Sequence, residues 1–158
     1  MTQSKSFVSA PAGDPQIGDL MTPINDSPPV KFFINWLPYK RPGMSPLLRG
    51  LEIGMAHGYW LVGPFAILGP LRNEPVGLVA GFLSACGIVL LMTMALSIYS
   101  YVTDDDTFLG SKENWSNFAA GFLVGGFGGA ITAYLLIENS DVISTLPSFL
   151  QDFQRIAG

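Results

Sequence analysis

The chain has 158 residues, the length of one ordinary domain, but only 13% of them are charged and 49% are hydrophobic, about half the charged share usual in a soluble domain. With a mean hydropathy of +0.39, this composition argues against a water-soluble domain and places the chain among membrane proteins. The formal charge of −4 comes with no basic stripe that could follow a phosphate backbone, which speaks against nucleic acid as a partner.

Residues 1–46 are polar and rich in proline, and no apolar run follows Met1. The expectation is therefore that no cleaved signal peptide is present and that the first hydrophobic span serves as its own insertion signal. Neither end carries a lipidation motif. The stretch SAPAGDPQIGDLMTPINDSPP (9–29) has no sustained period, and its Pro, Gly, Asp and Asn content predicts irregular chain that a partner surface could hold extended. In VKFFINWLPYKRPGMSP (30–46) aromatic and basic residues alternate. Trp36 and Tyr39 suit the headgroup level, while Lys31, Lys40 and Arg41 suit anionic lipid or a neighbouring protein. The whole of 1–46 is read as an extended cytoplasmic segment.

Three spans follow, from about Leu51 to Leu71, Val76 to Tyr101 and Phe118 to Ile137. Each has enough apolar residues to cross a core of about 30 Å. Only helices satisfy every backbone group within one segment there, so the predicted fold is an all-α membrane protein whose three transmembrane helices occupy 47–137. The second span is overlong, which predicts tilt or extension beyond the hydrocarbon. Pro64 predicts a kink near Trp60 in the first. The short GPLRNEPVG (69–77) makes helices one and two antiparallel neighbours, and Ser116 or Asn117 is the expected cap of the third. The Asp104, Asp105, Asp106 run reads as a solvated loop. Lys5, Lys31, Lys40, Arg41, Arg49 and Lys112 fall on one side and only Arg72 and Arg155 on the other, which puts the N-terminus in the cytoplasm and the C-terminus across the membrane. Cys86 lies in an apolar run and reads as a small filler.

In RGLEIGMAHGYWLVGP (49–64), Glu52 and the chain's single histidine, His57, stand at the threshold of the first span. Ionisable groups in a membrane are functional suspects. Five residues of helix separate the two by about 7.5 Å along the axis and about 140° around it, so they cannot readily converge on one metal ion. Each faces its own ligand. A neutral imidazole and a carboxylate can each fill the single axial position of a metallated macrocycle with an apolar body; magnesium suits the oxygen donor, and haem at His57 remains open. The small residues Gly50, Gly54, Ala56 and Gly58 leave room for a planar ring and equally suit tight helix packing. A bland reading pairs Glu52 with Arg49. A small transporter or proton relay through Glu52 and His57 is the alternative from another class, but the second and third spans offer it only Ser84, Thr93, Ser97 and Thr132. No Gly-x-Ser-x-Gly and no phosphate-cradling loop supports catalysis.

Gly121, Gly125, Gly129 and Ala133 form a small-residue ridge on the third helix, and Gly77, Gly81 and Ala85 repeat it on the second. Such ridges pack helices within a chain or between chains, and their extent predicts oligomer contacts through Gly121, Gly125 and Gly129. Beyond the membrane, ENSDVISTLPSFLQDFQRIAG (138–158) places Leu150 and Phe153 among apolar residues in a partly helical pattern. This short amphipathic tail on the far side is predicted to join the oligomer contact.

The chain resembles the cyanobacterial L subunit of photosystem I, also called reaction centre subunit XI. GDPQIGDLMTPINDS, RPGMSPLLRGLEIGMAHGYWLVGPF, LGPLR and NWSNFAAGFLVGGFGGA carry the likeness over most of the chain. The resemblance implies a noncatalytic subunit with three transmembrane helices that binds antenna chlorophyll a and β-carotene and joins photosystem I into homotrimers. It implies axial ligation of two chlorophyll magnesium ions by Glu52 and His57. It further implies association with the photosystem I core and small membrane subunits, and residence in a thylakoid, or a plasma membrane where the host lacks thylakoids, with a lumenal C-terminus. Two departures stand out. INWLPYKRPG replaces the commoner IGNLPAYRPG, and Asn73 followed by Glu74 stands where relatives with a calcium ion at the trimer interface have Asp, which removes a charge a hard cation prefers.

Overall fold

The computed structural model describes residue 8, residues 21–102 and residues 109–141. Among the described residues there are four helices and no strand: α1 (Pro28–Trp36), α2 (Pro46–Leu68), α3 (Gly77–Val102) and α4 (Lys112–Glu138). Residues 9–20 of the expected irregular stretch, the Asp104 to Asp106 run, and the tail with Leu150 and Phe153 lie outside the described residues. The chain divides into two compact units, Met1–Met44 and Ser45–Gly158.

In the first unit the expectation of a wholly extended segment is corrected by α1. Pro28 and Pro29 open this helix, where the missing amide costs nothing and the fixed φ is already helical. Ser27 precedes it in an extended conformation, and its carbonyl accepts from Lys31 N at 2.9 Å. Pro38 holds Leu37 extended and stops the helix after nine residues. None of the nine is buried: Phe32 is 75% exposed and Trp36 61%. The Arg41 guanidinium lies 5.3 Å from the Trp36 ring centroid while its Nε donates to Trp36 O at 2.9 Å, closing the turn behind the helix.

The second unit holds the bundle. α2 begins at Pro46, earlier than the expected Leu51, because Ser45 accepts from Leu48 N at 3.3 Å and caps the first turn. It ends at Leu68 because Gly69 is extended ahead of Pro70. The helix is continuous through Pro64. α4 starts at Lys112, capped by Ser111, which accepts from Asn114 N at 3.3 Å, and not by Ser116 or Asn117. Gly110 turns the chain into it at φ +74°, a conformation that favours glycine. The added turn is held by burial: Trp115 and Phe118 pack with Leu109, and the Tyr99 ring meets Trp115 edge-on at 4.9 Å.

α2 and α4 run parallel. Gly50, Gly54 and Gly58 each present their bare α-carbon to the backbone at Phe118, Phe122 and Gly126, and Gly121, Gly125 and Gly129 answer at Leu47, Leu51 and Met55. A β-carbon at any of the six would clash with the facing carbonyl oxygen. The two ridges therefore interlock, with Cα–H groups aimed at carbonyl oxygens across three turns. α3 is antiparallel to both: Gly81 lies on Ala66, Val89 on Gly126, and the Phe82 ring is 5.2 Å from that of Tyr134. Val62, Ala85, Cys86, Ala130 and Ala133 close the core between the three helices.

α3 and α4 are each long and apolar enough to cross a bilayer, with stretches of mean hydropathy 2.2 and 1.8. α2, with 23 residues, spans about 35 Å, but Glu52, His57 and its glycines dilute its apolar character.

Candidate functional site

The glycine seam decides where the two ionisable side chains of α2 can point. Measured around the helix from Gly54, at the middle of the ridge facing α4, His57 is about 60° away and Glu52 about 160°. His57 therefore flanks the seam and Glu52 is turned away from α4. His57 is exposed and Glu52 half-buried. The separate facings expected from their spacing hold because α2 is unbroken between them.

Two contacts fix the imidazole. Nδ1 lies 2.8 Å from the carbonyl oxygen of Ile53, one turn earlier, and the ring meets Phe122 edge-on with centroids 5.5 Å apart. A carbonyl only accepts, so Nδ1 carries the proton in this contact. In the neutral ring Nε2 then bears the lone pair and points away from the helix backbone. Phe122 is only 1% exposed, so the wall against which the ring rests is itself held by the core. Ala56 beside it is exposed and small, and Trp60, one turn further along, is 72% exposed. Nε2 is thus the nitrogen left to offer, on an exposed ring whose exposed neighbours Ala56 and Trp60 are apolar. Such a donor can fill one axial position on a metal ion whose other ligands come with it, and the carboxylate of Glu52 can do the same for a hard metal on another side of the helix. Among the described residues, no three His, Cys, Asp or Glu side chains gather into a site of their own.

Other expected participants are placed differently. Gly50, Gly54 and Gly58 are buried against α4, so of the four small residues only Ala56 leaves open space beside the pair. Gly121, Gly125 and Gly129 are likewise buried within the chain. That corrects the expectation of an oligomer contact through them: their α-carbons already touch α2, and nothing else can approach. Ala85 and Gly81 are buried against α4 and α2 in the same way. Asn73 and Glu74 are exposed in the connection between α2 and α3.

The missed partner of the α4 ridge was Gly50, Gly54 and Gly58. Its signal was present: two helices with glycine at the same spacing of four. The hydroxyls that a proton path would need are spent on their own helices. Ser84 donates to Ala80 O at 2.8 Å, Thr93 to Val89 O at 2.8 Å, Ser97 to Thr93 O at 2.9 Å and Thr132 to Gly128 O at 2.8 Å. Bonds of this kind let a polar side chain sit in hydrocarbon without a partner, and they give no support to a relay.

Residues 7–142 match the sequence profile of a family described as photosystem I reaction centre subunit XI. Relatives from several organisms carry that same description. The chain is 52% identical to one from Nostoc punctiforme over 146 residues, covering 84% of this chain and 84% of the relative. It is 50% identical to one from Gloeobacter violaceus, covering 84% of this chain and 90% of the relative. It is 49% identical to one from Synechocystis, covering 90% and 94%.

Proposed function

The chain belongs to the photosystem I reaction centre subunit XI family, and we infer that its work within photosystem I is to hold antenna pigment and to join copies of the complex, without catalysing a reaction. In this reading α2 crosses the thylakoid membrane beside α3 and α4, with the N-terminus cytoplasmic and the C-terminus lumenal. Glu52 and His57 are the axial ligands of two separate chlorophyll a molecules.

The observation that carries the reading is the state of His57. A histidine that merely filled a core would be enclosed and would use both nitrogens; this one uses Nδ1 on Ile53 O at 2.8 Å and is exposed on an apolar helix face. The residues present fit a macrocyclic magnesium, which brings four ligands of its own and asks the protein for one donor. Bound chlorophyll supplies light absorption and excitation transfer; the chain supplies position. The bond to Ile53 and the edge of Phe122 stop the imidazole from rotating, so the direction of the Nε2 lone pair is fixed relative to the α2–α4 seam. Excitation transfer depends on the distance and orientation of the pigments, and a seam of backbone against backbone is a stiff base for both. Glu52 faces the other way, and this keeps the two rings from competing for the same space.

The open groove of about 510 Å³ between α2 and α4, walled by Trp60, Pro64, Ile67 and Leu136 and without a charged side chain, suits the hydrocarbon of a carotenoid. Association into trimers falls to surfaces other than the glycine ridge. The outer face of α3, where Leu83, Leu91, Met94 and Ile98 are each at least 60% exposed, is left for neighbouring subunits or lipid. The test is His57→Leu and, separately, Glu52→Leu, in the assembled complex. Each variant is expected to lose one chlorophyll per copy of the chain by pigment extraction, and unchanged pigment content in both would overturn the assignment.

A further inference from the structure

A second groove, of about 710 Å³, runs between the end of α2, the connection 69–76 and the first half of α3. Pro64, Leu68, Leu71, Gly87 and Leu91 line it, and Arg72 stands at one end. Three properties of this groove point to a single kind of occupant.

The first is depth. Gly77 and Leu91 both line it, and the helix rises about 21 Å between them, close to half of a bilayer of about 40–45 Å with its headgroups. The groove is one leaflet deep, with its charged end in the connection between helices, where headgroups lie. The second is chemistry. Below Arg72 the walls are apolar; Ser84, the hydroxyl that reaches the groove, is already bonded to Ala80 O at 2.8 Å. The third is the unanswered charge. Arg72 is exposed, its hydrogen bond to Gly69 O is a long 3.4 Å, and it has no carboxylate partner among the described residues. A guanidinium in that state matches a phosphate, which it can hold through two parallel N–H···O bonds. An apolar helix from a neighbour would fill the walls and leave the cation unmatched. The floor at Gly87 is bare: a β-carbon there would meet nothing within 4 Å.

We propose that this groove binds one anionic phospholipid, with its phosphate on Arg72 and an acyl chain lying between the end of α2 at Leu68 and the face of α3 from Ala80 to Leu91. The inference rests on α2 and α3 crossing the membrane and is independent of pigment ligation at Glu52 and His57, neither of which lines the groove.

The test uses the detergent-purified complex, supplied with phosphatidylglycerol or, as the neutral control of equal chain length, phosphatidylcholine. Retained lipid is counted by native mass spectrometry. The wild-type complex should keep one more phosphatidylglycerol per copy than Arg72→Gln, Arg72→Lys should keep most of it, and phosphatidylcholine should not differ among the three. Gly87→Leu, which fills the floor without touching the charge, should lose the same lipid while pigment absorption stays unchanged. Equal phosphatidylglycerol counts in wild type, Arg72→Gln and Gly87→Leu would overturn the proposal. So would a Gly87→Leu complex that keeps its lipid and falls apart into monomers, which would give the groove to a protein helix.

Discussion

Placing one methyl group on Gly54 tests the seam that sets the direction of every side chain on α2. An ideal β-carbon there stands 2.9 Å from Gly126 N and 2.9 Å from the carbonyl carbon of Phe122, and closer still to Phe122 O, whereas ordinary van der Waals contact begins at 3.4 Å. Backbone cannot swing aside as the end of a side chain can. The contact with Phe122 O sets the displacement: α2 and α4 must part by about 1 Å, and a gap of that size forfeits up to roughly half of the dispersion attraction for the atoms along it. Overpacking of this kind costs about 1–3 kcal/mol. The greater helix preference of Ala over Gly returns up to about 1 kcal/mol, so Gly54→Ala alone understates the seam. Gly128→Ala supplies the correction, because a β-carbon at Gly128 meets nothing within 4 Å and gains only the helix preference. The difference between the two variants should be about 1–3 kcal/mol, read by thermal unfolding of the full chain in one detergent. Equal unfolding midpoints would refute the interlocked seam.

Further outcomes follow from single contacts. Phe122→Ala removes a core side chain that is 1% exposed and supports the His57 ring. It should cost less than the roughly 3–5 kcal/mol usual in a water-soluble core, since the reference environment is hydrocarbon and not water, and it should broaden the absorption of the pigment assigned to His57. Ser111→Ala removes the hydroxyl that accepts from Asn114 N at 3.3 Å. A loss of about 0.5–2 kcal/mol is expected, seen as faster amide exchange confined to the first turn of α4. Exchange spread evenly along α4 would count against a local cap.

The three long helices were legible from their apolar runs, since a segment of that length in hydrocarbon would have to satisfy its own backbone. Their ends were not, because those depend on caps. Ser45 and Ser111 extend α2 and α4 backward by a turn or more from the first strongly apolar residue, and Pro70 cuts α2 short. α1 was missed because most of it lies in the stretch 30–46, whose alternating aromatic and basic residues read as an interfacial segment, although two prolines at the first positions of a helix favour it. The glycine ridges were legible as surfaces for close approach but not in direction. A stripe of small residues does not say whether its partner is the same chain, and only the match between Gly50, Gly54, Gly58 and Gly121, Gly125, Gly129 resolves it. Glu52 and His57 were legible as a divergent pair from helix geometry alone. The bond from Nδ1 to Ile53 O, which decides which nitrogen is offered, was not read, though it spans one ordinary turn.

An experimental density map of the assembled complex bears most directly on the claim that α2 carries two pigments on two sides. A flat tetrapyrrole is expected with its central metal on Nε2 of His57, Nδ1 still on Ile53 O, and a second, separate ring on the carboxylate of Glu52. A map in which both side chains meet only protein or lipid headgroups would contradict the account.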